Sequence, residues 1–121
     1  MEGLIRKIRR FEAKKILIIG DLILDKYTIG KVRRISPEYD VIDLDVSETR
    51  YNPGGAGNTA VNIKTMGSKP YLLGILGNDH RAEIFKKELK QREISSSGIL
   101  TLVQRTILKE RFLTKNRKLR D

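Results

Sequence analysis

Asn52-Pro53-Gly54-Gly55-Ala56-Gly57-Asn58 runs directly into Thr59-Ala60-Val61-Asn62-Ile63-Lys64-Thr65-Met66. The first stretch reads as a loop with almost no side chains. The second reads as a helix, with Gly67 placed just past its end. Glycine admits positive φ and lets a neighbouring group approach the backbone closely. A helix N-terminus adds unpaired N–H groups and a partial positive charge, so such a junction suits an anion or a polyol. It also serves as a plain strand-to-helix connection, and the loop alone leaves both readings open.

The flanking segments place this junction in an alternating fold. Upstream, Ile16-Leu17-Ile18-Ile19 is a short apolar run stopped by Gly20, the pattern of a parallel strand covered on both faces. Ahead of it, Leu4, Ile5, Ile8 and Phe11 recur at helical spacing and predict an amphipathic helix over residues 2–13 with a basic outer face. From Tyr39 to Val46, Ile42, Leu44 and Val46 alternate with Asp43 and Asp45, as in a strand with one wet face. Downstream, Tyr71 to Leu76 reads as a second buried strand. Asn78 or Asp79 then caps a helix to Gln91, with Ile84, Phe85 and Leu89 turned inward. Ile107 to Thr114, a turn at Lys115-Asn116-Arg117 and the residues from Lys118 onward predict a hairpin. Buried strands alternating with helices give a βαβ core with a parallel sheet, and the one-sided strands form a separate flap.

Composition narrows the function classes. A chain of 121 residues with 39% apolar content fits one modest core. The absence of cysteine removes disulfides and thiolate metal sites and agrees with a cytoplasmic setting. No apolar run approaches membrane-spanning length, and the basic start lacks an adjoining signal-peptide core. The net charge of +10 gathers at the two ends, Arg6 to Lys15 and Arg105 to Arg120, as a phosphate-binding surface would require. Yet acidic residues are mixed through most of the chain, and only seven aromatics are present to stack on bases. Nucleic acid is therefore not the expected partner, and a Lys/Glu-rich surface has another common origin in proteins of hot environments.

Gly54, Gly55, Ala56, Gly57, Asn58, Thr59 and Ala60, followed by Gly67 and Gly77, resemble the N-terminal signature of the ribokinase-like (PfkB) carbohydrate kinases, with matching spacing throughout. Within that family the chain is most similar to the heptose-7-phosphate kinase branch, the kinase domain of ADP-heptose synthase. Gly20-Asp21-Leu22-Ile23-Leu24-Asp25-Lys26-Tyr27 resembles the first-strand motif of that branch, and Arg34-Ile35-Ser36-Pro37-Glu38 its lid motif. Two departures stand out: Ala82 where a glycine is usual, and the acidic 39–45 stretch where the branch has a more apolar lid strand.

The resemblance implies an α/β fold, a partial doubly wound (Rossmann-like) parallel sheet with an inserted β lid and without the C-terminal half. It takes the whole chain, 1–121, as the N-terminal part of one kinase domain, with lid segments near 26–51 and 99–121. Asp25 matches the sugar-binding aspartate, and Gly54, Gly55 and Asn58 match the sugar-cradling loop. Asp21 is a further candidate, with a turn or cap role as its alternative. Asn58 could equally cap the following helix. These carboxylates fall just after the first buried strand, where open α/β sheets hold their ligands. His80, the one histidine, falls in a helix's first turn and is expected to be a surface residue.

The family's phosphoryl transfer uses ATP and Mg2+ with a second Gly-rich motif, Gly-Ala-Gly-Asp, that supplies the anion hole and the base. That motif does not occur in these residues; Gly55-Ala56-Gly57-Asn58 imitates it, but an amide cannot act as a carboxylate base. The expected function is therefore the sugar-binding portion of a kinase, inactive alone, whether from a shortened gene or as one half of a split enzyme. The alternative is a non-catalytic module that self-associates through lid strands or meets an anionic partner through its basic ends.

Overall fold

The structure, a computed structural model, describes residues 2–35, 37 and 42–114. Helix α1 spans Glu2–Arg9, and strand β1 spans Lys15–Ile19. The predicted helix over 2–13 thus stops earlier, and the chain turns so that the Ala13 N–H reaches the Gly67 carbonyl at 2.9 Å. Two long strands follow, β2 (Leu22–Ile35) and β3 (Ile42–Gly55). Then come α2 (Ala56–Thr65), β4 (Lys69–Gly77), α3 (His80–Gln91), β5 (Ile99–Leu102) and β6 (Ile107–Thr114).

These strands form two three-stranded sheets. The first is parallel, in the order β1-β4-β5. The second has the order β3-β2-β6, with β2 antiparallel to β3 and parallel to β6. The expected α/β core with an appended β flap is therefore present. Of the expected lid segments, 26–51 falls on β2 and β3. Within 99–121, Ile99–Leu102 joins the parallel sheet instead and Ile107–Thr114 joins the flap. The hairpin partner expected from Lys118 onward lies outside the described residues.

One expectation about burial is corrected. Strands β1 and β4 are not covered on both faces. Leu72 and Leu76 are buried beneath α2 and α3, which contribute Ala60, Phe85 and Leu89 to the same core. Tyr71, Leu73 and Ile75 alternate with them and are exposed, as are Leu17 and Ile19 of β1, at 62% and 70%. The cause is topological. The sheet grows in one direction, β1 to β4 to β5, and crossovers of this kind are right-handed, so both helices fall on one face. The other face stays apolar and uncovered by the described residues.

Two further boundaries move. The Gly-rich segment is not a free loop: Asn52 to Gly55 is the last stretch of β3, and α2 begins at Ala56 rather than Thr59. The flap is also longer than its alternating 39–46 segment suggested. Strand β2 pairs with β3 from Leu22↔Gly55 to Ile35↔Ile42, with register shifts at Ile29/Gly30 and Val32/Arg34. Helix α3 is capped by Asp79, whose carboxylate accepts the Ala82 N–H at 3.0 Å. Inside α3, Phe85 and Leu89 are fully buried and Ile84 packs against the core, as expected.

Candidate functional site

The ladder between β2 and β3 positions the site. It sets Asp25 directly opposite Asn52, and strand alternation puts Tyr27 on the same face as Asp25. On the other side of β2, parallel pairing sets Arg111 of β6 opposite Tyr27, diagonal to Asp25. Asp25, Tyr27, Asn52, Pro53, Asn58, Val61, Arg92 and Arg111 enclose a cleft of about 390 Å³.

The glycines of the junction have separate tasks. A Cβ on Gly54 would lie 2.4 Å from Oδ2 of Asp25, so the carboxylate occupies space that only glycine leaves. Gly55 has φ +59° and is the residue before α2; a Cβ there would meet the Asp21 carbonyl at 2.3 Å. That carbonyl accepts the Ala56 N–H at 2.9 Å. Asp21 therefore holds the start of α2 through its backbone, while its side chain is exposed. It lines a different, apolar groove with Ile19, Leu73 and Leu100, apart from Asp25. Asn58 is not an N-cap, because Gly55 fills that position without a side-chain cap. As the third residue of α2, Asn58 is exposed and lines the cleft beside Asp25.

Two arginines complete the walls. Nη1 of Arg111 donates to Oδ1 of Asp25 at 2.8 Å and to the Tyr27 hydroxyl at 3.3 Å, and its guanidinium lies 5.2 Å from the Tyr27 ring centre. The bond to Asp25 holds Arg111 charged, raising it above the ordinary arginine value. Arg92 closes α3: Nη1 donates to the Glu88 carbonyl at 2.8 Å and its carboxylate at 2.6 Å, and Nη2 to Oδ1 of Asn52 at 3.1 Å. Neither arginine was legible as a site residue. Arg111 arrives through parallel pairing of strands far apart in sequence, and Arg92 stands in the ordinary place of a basic residue at a helix end.

The opposite face of the same strands is structural. Lys26 and Glu110 pair at 2.8 Å, and the Thr28 hydroxyl donates to Glu110 at 2.9 Å. The Lys26 and Thr28 bonds pull Glu110 below its ordinary value, and Glu110 in turn raises Lys26. Near α3, burial pushes Asp79 up, but bonds from the Thr106 N–H and hydroxyl and the Ala82 N–H, with the charge of Arg81, bring it below the ordinary aspartate value. His80 is exposed and contacts Glu83, as expected of a surface residue. Among the described residues no group of three His, Cys, Asp or Glu side chains could hold a metal ion. None of the described helices is long and apolar enough to cross a membrane.

Comparison with known proteins decides the family. The model of the pfkB family carbohydrate kinases matches residues 13–120. The chain belongs to this family. Among curated proteins, bifunctional protein HldE of Helicobacter pylori strain HPAG1 is 46% identical over 107 residues, 88% of this chain and 23% of its own length. The HldE protein of Blochmanniella pennsylvanica is 38% identical over 109 residues, 90% of this chain and again 23% of its own length. The chain thus spans 23% of the length of the curated relatives it matches. Among solved structures, a carbohydrate kinase from Agrobacterium tumefaciens superposes with a TM-score of 0.65 at 22% identity, over 84% of this chain and 32% of that one. The nucleoside kinase of Methanocaldococcus jannaschii, an archaeal member of the ribokinase family, gives 0.60 at 27% identity, over 86% and 34%. The pfkB fold, present here in part, accounts for both sheets.

Proposed function

We propose that this chain forms the sugar-binding portion of an ATP-dependent heptose phosphate kinase, working in the cytoplasm. The observation that carries this reading is the meeting of Asp25, Asn52 and Asn58 around one open cleft, with Gly54 leaving room for the carboxylate. A carboxylate accepts hydrogen bonds from sugar hydroxyls, and an amide both accepts and donates, so the set suits a polyol. Similarity to HldE over most of the chain supports a heptose as that polyol. ATP and Mg2+ supply the transferable phosphate and its charge neutralisation in such a reaction. In this reading Asp25, Asn52 and Asn58 bind and orient the acceptor sugar.

An open cleft that holds a polyol by a few hydrogen bonds binds it weakly. Each neutral hydrogen bond contributes about 0.5–1.5 kcal/mol and each bond to a carboxylate about 1.5–3 kcal/mol. Affinity for heptose 7-phosphate is expected near millimolar, about 4 kcal/mol. Titration followed by NMR tests the assignment: Asp25→Asn and Asn58→Ala should each weaken binding severalfold, and His80→Ala should leave it unchanged. Equal affinities for all four proteins would remove the sugar-site reading.

A further inference from the structure

The face of the parallel sheet that α2 and α3 leave uncovered carries a row of side chains that matches its own reversal. Along β1, Lys15, Leu17 and Ile19 alternate with the inward residues and are all exposed. Asp21, also exposed, continues the row into the groove it shares with Ile19, Leu73 and Leu100. The row reads cation, apolar, apolar, carboxylate, and Ile18 is its midpoint. Turned end for end, it offers a carboxylate where the first copy has a cation. We propose that two copies of this chain pack these faces together about a two-fold axis that crosses the strands at Ile18. Strand β1 then runs antiparallel over β1, and each Asp21 meets Lys15 of the other copy. Such an interface is isologous, the same surface serving both copies.

Charge selects this arrangement over its alternatives. In the β1–β4 register Lys15 stands opposite Lys69, which gathers two lysines at one end of the face. Lys69 lies 5.5 Å from the Tyr71 ring centre. None of Lys15, Lys69 and Asp21 takes part in an ion pair among the described residues. An axis along the strands would set the lysines of the two copies against each other. The axis across the strands sets them against Asp21 instead. Arg105 lines the same groove as Asp21 but follows β5, so it falls over the uncharged Ser95-Ser96-Ser97 stretch ahead of β5 in the other copy.

Between these charged ends the face is apolar. Tyr71, Leu73 and Ile75 of β4 and Leu100 and Leu102 of β5 are 36–58% exposed, beside the more exposed Leu17 and Ile19. Contiguous apolar patches above a few hundred Å² are rare on monomers and mark association surfaces. Two sheets stacked about 10 Å apart bury such side chains between them. The product has four layers, with the helices outside and the parallel sheets within. The cleft around Asp25 shares no lining residue with the groove on this face, so the pairing does not draw on the proposed sugar site.

Sedimentation equilibrium of the 121-residue chain and of charge variants tests the pairing. The unaltered chain is expected to pass from monomer to dimer, and no further, as concentration rises. Lys15→Glu and Asp21→Lys should each weaken the dimer about tenfold, because two symmetry-related contacts turn from attractive to repulsive. The double variant Lys15→Glu, Asp21→Lys should recover most of that loss, and raised salt should shrink the differences. Both positions are exposed, so the amide spectrum of each variant should keep the dispersion of the folded chain. A strict monomer, the result expected if the face is kept for a different protein, would overturn the proposal. So would open-ended oligomers, or a double variant no tighter than the single ones.

Discussion

At Gly54 and Gly55 the backbone itself determines what the site can be. Any side chain at Gly54 would enter the space of the Asp25 carboxylate, and the positive φ of Gly55 disfavours every L-residue with a Cβ. Gly54→Ala is therefore expected to weaken sugar binding more than stability, because the carboxylate can swing away from the new methyl. Gly55→Ala meets a backbone carbonyl and a left-handed φ together, so it should cost about 1–3 kcal/mol of stability. Urea unfolding of both variants checks the contrast; similar small losses for the two would contradict it. Elsewhere, Thr106 is buried and bonds both Asp79 and the Gly77 N–H, which it accepts at 3.0 Å. Thr106→Val should cost about 1–3 kcal/mol by leaving those partners unmet. The same bonds depress Asp79, so its contribution to stability is complete above the ordinary aspartate range. It is lost as pH falls through the lower folded value. Acid unfolding should therefore shift to higher pH in Thr106→Val, and an unchanged acid midpoint would count against the assignment.

Among the elements, legibility follows the kind of signal each carries. Apolar runs identified β1 and β4, and capping chemistry placed α3, because those patterns are local. Sidedness was not legible: a continuous apolar run reads as doubly buried whether or not the same chain supplies the second cover. The residue pattern alone did not mark β2, which entered only with the lid segment the resemblance implied, because Asp25, Lys26 and Tyr27 interrupt its apolar alternation; the structure pairs all three with partners on β6. Asp25 was a candidate from its place just after the first apolar strand and from the resemblance, Asn58 from the Gly-rich junction, and the structure brings both to one cleft. Asn52 and Arg111 came into the site only through strand register, which a single sequence does not specify. The uncovered face of the parallel sheet should also have a measurable effect. With Leu17, Ile19, Leu73, Ile75 and Leu100 exposed side by side, the chain is expected to self-associate as concentration rises. Sedimentation velocity should show this, and the Leu73→Lys, Ile75→Lys double variant should reduce it. A strict monomer at high concentration in moderate salt would contradict the expectation.

Across the whole molecule, this member of the pfkB family brings Asp25, Asn52 and Asn58 to one cleft, proposed above to hold the acceptor sugar. Phosphoryl transfer depends mainly on positioning and electrostatic stabilisation, and no Gly-Ala-Gly-Asp base occurs in these residues. The 121-residue chain alone is therefore expected to give no ATP-dependent phosphorylation of heptose 7-phosphate in a coupled assay; robust turnover by a contaminant-free sample would contradict that. The charge of +10 raises the competing possibility that anions collect at the basic ends instead. Backbone chemical-shift mapping during titration with heptose 7-phosphate separates the two most directly. Saturable shifts are expected at Asp25, Asn52, Gly54, Gly55 and Asn58 if the cleft holds the sugar. Shifts confined to the basic termini, with those five amides silent, would contradict it.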